Sequence, residues 1–151
     1  MGELDLETAR ATLESQPFSR LLDARITAFG DGGAVLEVDI REELHQQNGF
    51  LHGGVLAYAA GNALTFAAGT ALGPAVLTSG FSIQYVRPAQ GRTLIARATV
   101  VHGERRQATV RCDLFTLDAR GTEKLCAVAQ GTVLSAVSTV SEASAASAEP
   151  S

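Results

Sequence analysis

Residues 46–62, QQNGFLHGGVLAYAAGN, hold the groups best suited to chemistry. A loop rich in amide side chains, including Gln46 and Asn48, runs into His52-Gly53-Gly54, and an apolar helical stretch begins at once. The first turn of a helix has N–H groups without intrahelical partners and carries the positive end of the dipole. Glycine at 53 and 54 lets a substrate oxygen approach the backbone closely. Such a place can hold a carbonyl whose oxygen becomes negative during attack. Asn48 is of the type that caps a turn before a helix.

Other reactive side chains are scattered. By ordinary pKa His52 suits a general base. His45 and His102 read as surface loop residues, and the three histidines lack metal-ligand spacing, so no metal site is expected. Glu42 and Glu43 precede the motif loop; they read as a solvated acidic turn, with a substitute carboxylate as the functional alternative. Tyr58 shares a helix face with Gly54 and Gly61, which suits either an acyl contact or packing. Cys112 and Cys126 lie in apolar strand-like stretches outside any CxxC pair, so structural thiols are expected. Arg87, Arg92, Arg105 and Arg106 fall at strand ends or loops, and Arg suits phosphate through bidentate bonds.

The elements that must position these groups follow from periodicity. Residues 4–15 have helical spacing, with Leu6, Ala9 and Leu13 on one stripe and Pro17 marking the end. Residues 20–29 read as a strand, 30–33 (GDGG) as a hairpin turn, and 34–40 as the return strand. Residues 54–69 are the longest helix candidate. Ala, Leu and Val cover nearly its whole circumference, so burial on most sides is expected, with Gly69 as its stop. Four strand-like runs follow at 75–87, 92–102, 106–118 and 122–137, with a hairpin loop at 118–121. In 108–114, Ala108, Val110, Cys112 and Leu114 alternate with polar residues, so one sheet face is covered. This order predicts an α+β fold in which one helix is wrapped by an antiparallel sheet.

Composition bounds the rest. The 151 residues fit one domain, expected over 1–137 with its core at 20–137. The Ser/Ala-rich stretch 138–151 reads as a disordered tail. A formal net charge of −4 argues against nucleic acid as a partner. The acidic N-terminus lacks the apolar region of a secretory signal. No apolar run reaches the roughly 18 residues of a membrane span without polar breaks. A cytoplasmic protein that needs no cofactor is the expectation.

With these residues in view, the chain resembles the hotdog-fold thioesterases of the phenylacetic-acid-degradation (PaaI-like) group over roughly residues 20–137. The resemblance is strongest in HGGVLAYAAGNALTFAAG (52–69) and FSIQYVRPA (81–89). It implies a hotdog fold, hydrolysis of an acyl-CoA thioester, and an oxyanion-type donor at Gly53. It also implies an orienting His52, an amide at Gln46 and a water-placing hydroxyl at Thr78. Gly54 and Tyr58 would line the substrate, and Arg87, Arg105 and Arg106 would hold the CoA nucleotide. Two subunits would build each site, in a homodimer or a dimer of dimers.

One departure matters. The family's Asp or Glu falls nine residues after the HGG histidine, and here that position is Gly61. A carboxylate there would sit about two helical turns, or roughly 10 Å, from residue 54 and lean toward the helix N-terminus. It could activate water or attack directly; glycine can do neither. Asn62 beside it is an amide, not a base, and lies about 100° around the helix. The primary expectation is a thioesterase, weak for lack of that carboxylate, using a water held by Gln46, His52, Asn62 and Thr78. The alternatives are a non-catalytic acyl-CoA or acyl-carrier binding protein, and an enoyl-CoA hydratase-like enzyme. The last is disfavoured, because residues 44–52 hold His45 and His52 but no Asp.

Overall fold

A computed structural model describes residues 4–136, so the expected tail at 138–151 lies outside the described residues. Helix α1 (Leu6–Glu14) opens on Asp5, whose carboxylate accepts the Thr8 N–H at 2.8 Å. It buries Ala9 and Leu13, the stripe expected from its spacing. Pro17 does more than end this helix. It opens a second, α2 (Pro17–Leu22), where its fixed φ suits the first helical position. The strand expected from residue 20 therefore starts later, at Arg25, after Asp23 turns the chain in the left-handed region (φ 56°).

Strands β1 (Arg25–Gly30) and β2 (Gly33–Asp39) form the expected hairpin around Asp31 and Gly32, both at positive φ. A single 3-10 turn (Glu42–Leu44) leads into the motif loop. Helix α3 (Gly53–Leu72) then runs a turn past the expected stop at Gly69. Gly69 is helical and buried; the stop is Gly73, whose φ of 90° breaks the helix while its N–H bonds to the Gly69 carbonyl.

Strands β3 (Val76–Tyr85), β4 (Thr93–Gly103), β5 (Gln107–Leu117) and β6 (Glu123–Ser135) complete a six-stranded sheet of order β1-β2-β4-β5-β6-β3, antiparallel at every step. The sheet wraps α3, which packs against all six strands. Ala59, Ala60, Ala63, Ala67 and Ala68 are wholly buried in α3. Their small side chains let the helix sit close to Leu36, Leu94, Val110, Leu114 and Val133 of the sheet, which are equally buried. By length and composition α3 could cross a membrane; here it is the core helix. This is the hotdog fold.

Strand β3 is an edge of that sheet, and its burial is unlike that of its neighbours. Leu77 is 56% exposed, Phe81 38%, and Tyr85 53%. An unpaired edge lined with apolar side chains is a template for pairing with another chain.

Both cysteines are free and buried, as their setting in strands suggested. Burial pushes the Cys112 thiol up to about 12 and the Cys126 thiol up to about 11. Because the thiolate is the reactive form, both will resist iodoacetamide in the native protein at pH 8. Both will react once the chain is unfolded in denaturant, which mass spectrometry of the alkylated protein will read.

Candidate active site

Helix α3 begins in a cleft of about 480 Å³ whose lining includes Gln46, Asn48, Gly53, Tyr85 and Arg87. The hydrogen bonds of its first turn decide what the cleft can do. The Gly54 N–H donates to His52 Nδ1 at 2.8 Å. The Val55 N–H donates to the His52 carbonyl at 2.9 Å. The Gly53 N–H has no acceptor among the described residues. It is a free donor at the positive end of the longest helix.

His52 accepts through Nδ1, so its neutral ring carries its proton on Nε2. The lone pair that could act as a base is held by the backbone, which fits an orienting residue. Tyr85 braces the same turn from β3. Its hydroxyl donates to the Gly53 carbonyl at 2.9 Å. A Cβ on residue 53 would lie 3.2 Å from the Tyr85 ring, so the tyrosine at this position calls for glycine. The Gln46 side chain accepts the Asn48 N–H, and the Gln46 N–H bonds to the Phe50 carbonyl at 2.8 Å, which folds the amide loop on itself.

From this end α3 and β3 run antiparallel along one seam. Tyr85 lies against Gly53, Phe81 against Gly61, and Thr78 against Thr65. At Gly61 the seam is filled: a Cβ there would lie 3.0 Å from the Phe81 ring. A side chain there would need the outer edge of that ring to shift by a few tenths of an ångström. One turn on, Thr65 Oγ1 donates to the Gly61 carbonyl at 2.8 Å and lies 2.5 Å from Thr78 Oγ1. With the Thr65 proton already placed, Thr78 is the donor of that pair, and its oxygen keeps its lone pairs for a water.

The expected residues thus separate into two clusters. Gln46, His52, Gly53, Gly54 and Arg87 gather at the helix start, while Gly61 and Thr78 lie along the seam. Gly53 and Gly61 are about 12 Å apart at 1.5 Å per residue, and Thr65 is about 18 Å from Gly53. Within one chain a single thioester cannot touch both clusters.

Two other residues face a different neighbour. Tyr58 packs on α2, with its ring edge-on to Phe18 at 5.3 Å and its hydroxyl 2.5 Å from Ser19 Oγ. Burial pushes its phenol above the usual range. Asn62 donates to Gln16 Oε1 at 3.4 Å. Both lie on the helix face toward α1 and α2 and away from Gly53.

Of the arginines, Arg87 alone shares the cleft with Gly53 among the described residues; Arg92 lines a separate one beside Asp39 and Asp118. Arg105 and Arg106 occupy the β4–β5 turn, beyond Gly103, which lies against Ala71 at the far end of α3. Glu43 pairs with Arg41 at 3.2 Å on the surface, and neither Glu42 nor Glu43 lines the cleft. His45 pairs with Leu51 through the backbone, and His102 lies 3.4 Å from Glu104 on the surface. Tyr85, Phe81 and Thr65 were not singled out from the sequence. The signal was present for the first two, since 81, 83 and 85 share one face of a strand.

Known proteins match this chain in sequence and in fold. The thioesterase superfamily matches residues 48–123. A thioesterase family protein from Silicibacter pomeroyi is 28% identical, with a TM-score of 0.79 over 83% of this chain and 93% of its own. A mutant form of the phenylacetic acid degradation protein PaaI from Thermus thermophilus is 30% identical, with a TM-score of 0.68 over 79% and 98% of the two chains. The PaaI protein of Escherichia coli, 23% identical with a TM-score of 0.74 over 85% and 91%, shares the fold. No curated protein matches the sequence. A family match over half the chain, on the fold and helix start just described, leaves one conclusion: the chain belongs to the thioesterase superfamily.

Proposed function

We propose that this protein hydrolyses acyl-CoA thioesters to the free acid and CoA. The observation that carries the reading is the free Gly53 N–H, pinned by His52 and Tyr85 at the start of α3. Water adds to the thioester carbonyl, and the oxyanion that forms is stabilised by this N–H. The C–S bond then breaks, the acid leaves, and the proton from water goes to the CoA thiolate. The water is held by the Thr78 oxygen, which orients it without taking its proton. Arg87, in the same cleft, suits a phosphate of CoA.

The working unit in this reading is a dimer. Two β3 edges paired antiparallel across a two-fold axis bring the Gly53 end of one seam beside the Thr78 end of the other. That pairing also covers Leu77, Phe81 and Tyr85.

A second reading has its own support in Phe81. Its ring fills the seam at Gly61, and no Asp or Glu among the described residues lines this cleft. A site of that kind could bind acyl-CoA without turning it over.

Thiol release from a broad acyl-CoA panel separates the two. Turnover is expected, but slow, since a missing general base typically costs about 10²–10⁴-fold. Binding of a CoA thioether with no thiol release from any thioester would favour the second reading. Gly61→Asp combined with Phe81→Leu, which clears room for the carboxylate, is expected to raise kcat by about 10²-fold or more.

Tyr85→Phe keeps the ring but frees the Gly53 carbonyl. It is expected to lower kcat/KM by about tenfold, the worth of one hydrogen bond to the turn. An unchanged value would remove Tyr85 from the site. Leu77→Lys, at the start of the exposed β3 edge, is expected to give monomers in sedimentation and to abolish turnover together with dimerisation.

A further inference from the structure

Helix α1 packs on β1 and leaves a cavity of about 200 Å³ between itself and α3. None of the residues lining it is titratable. The lining is graded. Gln16, Asn62 and Thr65 form a polar end, whereas Phe66, Val76 and Leu4 make the rest largely apolar. The polar end adjoins the seam, because Thr65 both lines the cavity and bonds to Thr78.

Proton accounting shows what the polar end still offers. Ser19 Oγ donates to Gln16 Oε1 at 2.7 Å, so the Tyr58 hydroxyl is the donor to Ser19. Asn62 gives an N–H to Gln16 Oε1. Its Oδ1 is left as an acceptor, and the Gln16 amide nitrogen, which no hydrogen bond among the described residues uses, is left as a donor. Thr12 donates to the Thr8 carbonyl at 3.0 Å, so its oxygen, also on the cavity wall, is left as an acceptor too. Uncharged acceptors beside an uncharged amide donor suit a neutral hydroxyl, which both donates and accepts.

We infer that this cavity receives the acyl group and selects short 3-hydroxyacyl thioesters. The inference rests on the thioester reading above. With the carbonyl in the seam beside Thr65 and Thr78, the third carbon of the chain comes level with Asn62. Its hydroxyl donates to Asn62 Oδ1, and the tail lies along Phe66 and Val76. A cavity of about 150 Å³ holds benzene, so this one takes a chain of roughly eight carbons at most.

The test is calorimetry with two non-hydrolysable CoA thioethers, S-(3-hydroxyhexyl)-CoA and S-hexyl-CoA. The wild-type protein is expected to bind the hydroxylated probe about tenfold more tightly. Asn62→Leu is expected to erase that preference and leave hexyl binding intact. Thr12→Val, a swap on the exposed face of α1 that leaves the core untouched, is expected to reduce it. Equal affinity for both probes in the wild type, no binding of either, or a preference that survives both substitutions would overturn the inference. Binding preference without thiol release from 3-hydroxyhexanoyl-CoA would instead remove the hydrolase reading and leave the pocket standing. Thiol release with no preference for the hydroxyl would do the reverse.

Discussion

The close approach of helix α3 to strand β3 is the constraint on which the rest of the site depends. Tyr85 can reach the Gly53 carbonyl only because residue 53 has no side chain. That bond and the His52 ring together fix the first turn, so the one uncommitted N–H has a set direction. Preorganisation of this kind matters because a donor that need not reorient gives its full benefit as charge develops. The buried alanines of α3 serve the same end, since a helix of large side chains would stand farther from the strand.

Much of the fold was legible because each element that matters is long and strongly patterned. Residues 108–114 alternate strictly, and β5 buries the expected side chains. The helix over residues 54–69 is apolar all round, and it is the core helix. The misreadings were local. Residues 17–22 form too short a helix to show a period, and their large apolar residues Phe18 and Leu21 are exposed. Gly69 carries the residue type of a helix stop, but the positive φ needed to break the helix belongs to Gly73. Glycine type alone does not distinguish a cap from a close packing position.

The site was legible at its start and not along its length. HGG before an apolar helix says where free N–H groups will be, because helix ends leave them wherever they occur. Which side chains lie opposite is a matter of tertiary register. Thr78 and Gly53 belong to the same seam yet stand at its two ends, a separation that spacing along the chain cannot reveal. Tyr58 lies between Gly54 and Gly61 on the helix, but it is claimed by α2, a helix too short to be read from periodicity.

Glycine at 61 is best understood together with the ring that lies against it. Phe81 pairs in register with Gly131 of β6, where a Cβ would lie 2.5 Å from that of Phe81. On its other side the ring lies against Gly61. The large ring at 81 therefore goes with glycine at 61, whereas glycine at 131 answers to the β3 backbone and would be called for beside any side chain at 81. Adding a carboxylate alone puts it against an aromatic ring, where desolvation raises its pKa. Clearing the ring as well leaves it more solvated and more fully ionised at neutral pH. In the proposed hydrolysis the helix start supplies the oxyanion donor through backbone geometry alone, and one such donor is worth about 10²–10³-fold. At position 61 the chain packs a glycine against Phe81, and a carboxylate there would need that ring to yield.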